Sequence, residues 1–579
     1  MKKYLILTTF LFGITLHAQD KDTIKSKFKL SGSYEGNGQW YTNDVNRGIQ
    51  HNSIPLRSNN YLLLNLDYGK FTLGTQLESY TNEALLNYNP KFSKTNFGTY
   101  YARYKSTKLE INLGHFYEQF GSGLALRSWE DRSLGINNAL RGARIIYKPF
   151  ESIALTALYG KQRSGFGVTK GTTMGLNAEI NVAQIFNFTT FELNYGFSYV
   201  NRNDKLPAGI TNFSENTTVF SNRIGFEKNN FYVNIEHDLK SKDALLQGSN
   251  LNYNFVKPGN AFLVNLGYSQ KGFGLDANLR RIENMFFLSE RQLEVYSPEN
   301  TSLNYNDKLM NYIPSLTKQH HSNLANIYVY QAQGKTAMQY DEQIQKFGEI
   351  GGQIDLFYEF KKGSELGGKY GTKLAINASS WYNLKGTYAY YNSNGEYAPN
   401  YHTDILGSSQ KYFSDYSIEI TKKLSSKVKG NITYINQYYN DQYIRGIFQK
   451  SLVKSNILFA EATVVLPRAK SFTIAAEHMW ADADRKNWLG GSVEYNHNEK
   501  WSFFATDMFN YGFDANAHLI NATDLFDIHF YNFGTAYKKG STRIALNYGR
   551  QRGGLVCAGG VCRFVPPSTG LGIQISTTF

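Results

Sequence analysis

The densest group of reactive side chains lies between Glu118 and Arg144. It holds Glu118, Arg127, Glu130, Asp131, Arg132, Arg141 and Arg144, and it opens on Glu118-Gln119-Phe120-Gly121-Ser122-Gly123. Alternating carboxylates and guanidiniums are suited to ion pairing and to charged ligands rather than to bond making. The glycine-flanked Ser122 lacks the spacing of a nucleophile elbow and reads as a turn. No H-E-x-x-H, P-loop or dinucleotide fingerprint occurs. His320-His321 and His237-Asp238 stand as isolated pairs and read as solvated residues. Cys557 and Cys562 are spaced C-x4-C in a glycine-rich stretch without a neighbouring His. A local disulfide is favoured there over a metal site, which needs more ligands. No cofactor is expected, and no enzyme.

The elements that must position these groups are strands. Leu62, Leu64, Leu66 and Tyr68 alternate with Leu63, Asn65 and Asp67; a turn at Gly69-Lys70 follows; then Phe71, Leu73, Thr75 and Leu77 alternate with Thr72, Gly74 and Gln76. Period two with one apolar and one polar face is a strand between two environments. The unit recurs, with tight turns at Lys105-Ser106-Thr107, Lys228-Asn229, Gln270-Lys271, Asn498-Glu499 and Lys539-Gly540 among others. Between these pairs the connections are longer, and Tyr- and Asn-rich stretches such as Tyr388 to Tyr401 read as exposed loops. The pattern predicts an all-β fold: a transmembrane antiparallel β-barrel of about 24 strands, with about 22 to 26 admitted by the pattern. Its short turns would be periplasmic and its long loops extracellular.

Tyr68, Tyr104, Tyr147, Tyr268, Phe360 and Tyr537 sit where strands meet short turns, as an interfacial girdle would. A charge on the lipid face costs about 2–4 kcal/mol at mid-membrane for Arg or Lys. Arg103, Arg144, Arg280 and Arg543 are therefore expected inside with Asp67, Glu78, Glu110, Glu192, Asp276 and Asp355, in a polar lumen of mixed sign. Constriction candidates are Glu118, Arg127, Glu130, Asp131, Arg132, Arg144, Arg280 and Asp276. A barrel this wide cannot be filled by its wall side chains. The long insert from about Met285 to Glu349 is the best internal candidate for a plug, and Asn323 to Gln345 within it could hold a helix.

Composition agrees. The chain has 51 Gly, 43 Tyr and 39 Phe but 11 Pro, and its formal charge is +14. Lys2 and Lys3 precede an apolar run that ends at His17-Ala18-Gln19, so residues 1–18 read as a signal peptide and 19–579 as one barrel domain. Much of the positive charge sits in short turns, next to anionic head groups, rather than in a patch for nucleic acid, which is not an expected partner.

The last strand is the clearest. Leu571, Ile573, Ile575, Thr577 and Phe579 share one face, and Gly572, Gln574, Ser576 and Thr578 the other. This ending resembles the C-terminal insertion signal of bacterial outer-membrane β-barrels, with Phe579 as its terminal aromatic. The Ala18-Gln19 junction and Phe116-Tyr117-Glu118-Gln119-Phe120-Gly121-Ser122-Gly123 look like those of uncharacterised, porin-like barrels of the Bacteroidota. The resemblance implies the cell outer membrane, its lipid, the barrel-insertion machinery and other outer-membrane proteins or lipoproteins as partners. It assigns no activity. About ten residues separate the expected cleavage site from the first strand, so likeness to a TonB-dependent receptor fails at the plug domain. Two functions are expected: a channel for polar solutes, or a non-conducting barrel subunit of a larger uptake, secretion or surface-display complex. A membrane-embedded hydrolase would need a Ser/His/acid or metal cluster at the outer strand ends, and none can be assembled.

Overall fold

A computed structural model describes residues 28–579 except 46–48, 50–54, 82–84, 86–91, 93–94, 248–249, 292–307, 314–317, 335–336, 339–343, 446–451, 513–526 and 559–560. The expected signal peptide therefore lies outside the described residues. Twenty-four strands of eight residues or more form one antiparallel sheet, each bonded to its sequence neighbours. The sheet closes on itself: Phe28–Tyr41 pairs with Leu56–Tyr68 on one edge and with Ser568–Thr578 on the other. Closure leaves no open edge. The hairpins match those expected from the alternation, one for one.

At the seam, the backbone N–H of Gly32 donates to the carbonyl of Phe579 (2.9 Å) and that of Phe579 to Gly32 (3.0 Å). A Cβ at Gly32 would lie 2.6 Å from the Phe579 ring, so glycine there makes room for the last aromatic side chain.

The two faces of each strand differ as the pleat requires. In Leu452–Leu466, Val453, Ser455, Ile457 and Phe459 are buried inside, whereas Leu458 and Ala460 are exposed outside. Ile573, Phe503, Ile432, Leu279 and Leu155 are likewise exposed on the outer face. Aromatic pairs ring the short-turn end: Phe28 with Tyr68, Phe71 with Tyr104, Tyr358 with Phe360, and Trp501 with Tyr537, at centroid distances of 4.5, 5.1, 4.8 and 4.8 Å. An outer band of this composition suits a hydrocarbon surrounding.

Inside, the two halves of the barrel differ. Inward positions are buried in the half next to the long loops and turn half-exposed towards the short turns, as Glu461 and Thr463 do after Phe459. The loop-side half holds two large apolar clusters. One joins Leu324, Tyr328 and Tyr330 of the insert to Trp381, Phe413, Ile457 and Trp488 of the wall. The other joins Phe120, Leu124 and Leu126 to Val200, Leu263, Phe287 and Met310. The expected polar lumen therefore holds for the short-turn half, whereas the loop-side half mixes these clusters with buried polar and charged side chains such as Arg202, Asp243, Asp415 and Glu477. The inserted segments supply dry partners in the other half, and burying apolar wall side chains against them is favourable.

Three further expectations change. No helix is present among the described residues of Asn323–Gln345; residues 323–326 form a turn. Tyr388 to Tyr401 is not a loop but the upper part of a long hairpin, Thr372–Tyr391 with Tyr397–Lys423. His320, expected in solvent, is buried.

Candidate interior plug

Two segments leave the wall and fold inward. The first, residues 117–139, forms two miniature hairpins, Gln119–Phe120 with Leu126–Arg127 and Glu130–Asp131 with Ile136–Asn137. The turn between the first pair uses glycines at φ +55° (Gly121) and +97° (Gly123), a region that side chains with a Cβ avoid. A Cβ on Gly121 would also lie 2.4 Å from Cδ of Arg223. The turn thus presses on the wall, where the N–H of Ser122 donates to Glu236 (2.9 Å).

The charged residues of this segment act as its ties. Arg132 bonds Glu35 (2.8 Å) and Gln76 (3.0 Å) of the wall and lies 4.6 Å over the Tyr61 ring. Glu130 accepts from Gln76 (2.9 Å), Asn137 (3.1 Å) and Arg132 (3.3 Å). Arg127 is sandwiched between the rings of Trp129 and Tyr312, at 4.3 and 4.2 Å. Asp131 only holds its own turn, accepting from Ser133 and from the N–H of Leu134. Glu118 pairs with Arg144 (3.1 Å), which also bonds Glu110. Burial pushes the Glu118 carboxyl above the ordinary carboxylate range, and Arg144 opposes the shift.

The second segment is the insert between the strands Phe273–Glu283 and Glu349–Phe360. These strands pair directly, Ile282 opposite Glu349, so the wall closes without the insert, whose two-residue strand Ala337–Met338 only adds a parallel pairing to Leu246 and Gln247 at the outer rim. Arg280 and Glu349 mark its root: they form a buried ion pair (2.6 Å), with Arg280 4.1 Å over the Trp381 ring. Glu349 also accepts from the Tyr330 hydroxyl and from the N–H of Gln333 (2.8 Å).

From this root the insert reaches both sides of the interior. On one side Leu288 O accepts from Arg202 (2.9 Å), Arg291 pairs with Asp243 (2.9 Å), and Leu309 O accepts from Gln162 (2.6 Å). On the other, Lys318 pairs with Glu419 (3.4 Å), His320 with Asp415 (2.9 Å), and the Tyr328 hydroxyl donates to Asp484 (2.9 Å). Glu477 accepts from the Ser322 hydroxyl (2.5 Å) and from the N–H groups of Asn323 and Leu324 (3.2 Å each). Gln162 lies on the seventh strand and Glu477 on the nineteenth. In a ring of twenty-four these are diametrically opposite, so the insert spans the full width. It also touches the first segment, where Met310 O accepts from the N–H of Arg127 (2.7 Å) and Gly123 O from that of Tyr312 (2.8 Å).

The expected constriction residues are thus divided. Glu118, Arg127, Glu130, Arg132, Arg144 and Arg280 tie the inner segments to the wall or to each other. Asp276 stands apart in the open half, bonded by the Tyr232 hydroxyl (2.6 Å). Cys557 and Cys562 are direct partners in the register of a small hairpin, Gly554–Ala558 with Val561–Val565, and their side chains lie outside the described residues. Asp415, Glu419, Glu477 and Asp484 were missed. Their only sequence signal is an acidic residue at an inward position or strand end on the loop side, opposite a polar stretch of the insert. Among the described residues no group of three or more His, Cys, Asp or Glu could hold a metal ion.

A family model described as "Family of unknown function (DUF6029)" matches residues 1–579. No curated protein matches the sequence. Similar solved structures include the translocation pore of the P pilus usher PapC, at 9% identity over 95% of this chain and 99% of that one, TM-score 0.41. The siderophore receptor PirA from Pseudomonas aeruginosa has 9% identity, coverages of 97% and 81%, and TM-score 0.38. A BenF-like porin from Pseudomonas fluorescens Pf-5 has 9% identity, coverages of 80% and 97%, and TM-score 0.34. These likenesses concern barrel architecture and carry no functional argument.

Proposed function

The chain belongs to the DUF6029 family, and from this member's own geometry we propose an outer-membrane channel for polar solutes that is held shut from within. The observation that carries the reading is the diametric span of the insert, from Gln162 to Glu477. The short-turn half is an open vestibule with polar, half-exposed walls. The loop-side half is closed by the insert and by residues 117–139, with Arg132, Arg144 and Arg280 as fixed ties. Passage then requires the insert to move. The test is solute efflux from proteoliposomes carrying the intact chain or one without the insert: efflux from the second alone supports the reading.

A second reading, a non-conducting subunit of a larger surface complex, is favoured by one feature. On the long hairpin, Ile405 and Leu406 are 79% and 85% exposed at a break in the register, and Tyr391 and Tyr397 are exposed as a pair at its tip. Isolated apolar residues need no explanation, but exposed apolar side chains repeated along a projecting hairpin suit a protein partner. That reading expects a partner to co-purify and no efflux from either version.

Residues 1–18 as a signal peptide and a Cys557–Cys562 disulfide belong to the same proposal, as does Phe579 as the insertion signal. Removing Phe579 strips the last backbone bonds and the ring packed at Gly32 from the seam. The expected result is a several-fold fall in heat-modifiable, folded barrel in the membrane fraction. An unchanged fraction would leave Phe579 without this role.

A further inference from the structure

The fold sorts the charge of the chain to its two ends. Counted from the last residue of one strand to the first of the next, the eleven short connections hold fourteen Lys or Arg and four Glu. The twelve outer connections hold eighteen Lys or Arg and twenty-two Asp or Glu. The surplus of ten positive charges at one end has no counterpart at the other: without the two connections that fold inside, 116–140 and 283–349, the outer connections hold eleven charges of each sign.

The surplus is a ring, not a patch. Nine of the eleven short connections carry a Lys or Arg, including Lys70, Lys228, Lys271, Lys362, Lys427 and Lys539 around the circumference, all exposed. Among the described residues, Lys105 with Glu110 (3.7 Å) is the ion pair that a short-connection lysine makes. The ring lies at the level of the aromatic girdle, and the two meet at Tyr370, whose ring carries Lys369 at 5.6 Å and Lys423 at 5.5 Å. Lysine stems lie along apolar surface while the ammonium groups reach the polar boundary.

We propose that this collar binds anionic phospholipid headgroups of the leaflet on the short-turn side, and so sets which lipids surround the barrel. The inference rests on the membrane reading above. A surface that meets the barrel on all sides at girdle height is a bilayer; a docked protein would need one continuous patch, and a soluble polyanion would need no aromatic ring beside the lysines. Clustered basic residues at a membrane boundary select anionic lipid, and they do so less as salt rises.

The test uses the full chain in nanodiscs of equal phosphatidylglycerol and phosphatidylethanolamine, with co-isolated lipids counted by mass spectrometry. The expected result is about threefold enrichment of phosphatidylglycerol, lost at about 1 M salt. It should also be lost in the sextuple variant K70Q, K228Q, K271Q, K362Q, K427Q and K539Q, and retained when the same six become Arg. Heat-modifiable migration confirms that each variant is folded, and the salt series on the unaltered chain stands even if the Gln variant is not. No enrichment, or enrichment that survives both salt and the Gln substitutions, overturns the collar. Tight binding of soluble polyphosphate without lipid enrichment overturns it too, in favour of a soluble anion. Failure to enter the nanodisc bilayer would overturn the membrane reading itself.

Discussion

Excising residues 285–348 and joining Asn284 to Glu349 by a short Gly-Ser link is expected to convert a closed barrel into an open one. The wall should survive, because Ile282 and Glu349 are already cross-strand partners and the flanking strands need only a hairpin. What is lost is interior. Leu324, Tyr328, Tyr330, Met285, Phe287 and Met310 leave the two apolar clusters. The ties to Gln162, Asp243, Asp415, Glu419 and Glu477 go with them. Residues 117–139 remain, anchored to Glu35, Gln76 and Glu236 on the first, third and eleventh strands. Efflux of small polar solutes should rise from background to a rate limited by the opening, and folded yield should change little. A tight, well-folded barrel would mean that residues 117–139 suffice to close it.

Glu349→Ala is expected to have the largest effect of any single substitution on the seating of the insert. It removes the carboxylate that pairs with Arg280 and accepts from Tyr330 and Gln333. Arg280 then loses this counter-charge, and breaking one partner out of a buried pair typically costs about 3–5 kcal/mol. The cost falls on the insert, not the sheet, because the sheet bonds at position 349 are backbone. Hydrogen exchange and limited proteolysis should show residues 318–334 losing protection while the wall strands keep theirs. Glu349→Gln, which keeps acceptors for Tyr330 and Gln333, should lose less. Equal protection in all three would mean that the root does not hold the insert.

The wall was legible because its code is short-range. Alternation in stretches such as Leu571 to Phe579, broken by turns such as Gly69-Lys70, needs only neighbouring residues to read, and the strand number followed. The plug was legible only as excess length. Its seat was not, because Glu477 and Asp415 look like any inward polar strand residue until Ser322 and His320 are brought to them across the barrel. Inward Ile457 and Trp488 violate the polar-lumen rule for the same reason: the cluster that buries them includes Leu324, Tyr328 and Tyr330, more than a hundred residues away. The helix expected within Asn323–Gln345 failed because its Leu, Ile and Tyr side chains are placed to fill gaps between wall residues, not to form one helical stripe.

The most direct test of the closed-channel account is single-channel recording of the intact, detergent-extracted protein in a planar bilayer. The account predicts a silent baseline, broken at most by brief openings when the insert is displaced, with steady current appearing once residues 285–348 are excised. A steady, ohmic conductance from the intact chain would contradict it, since the account has the insert, bonded to the seventh and nineteenth strands at once, closing the middle.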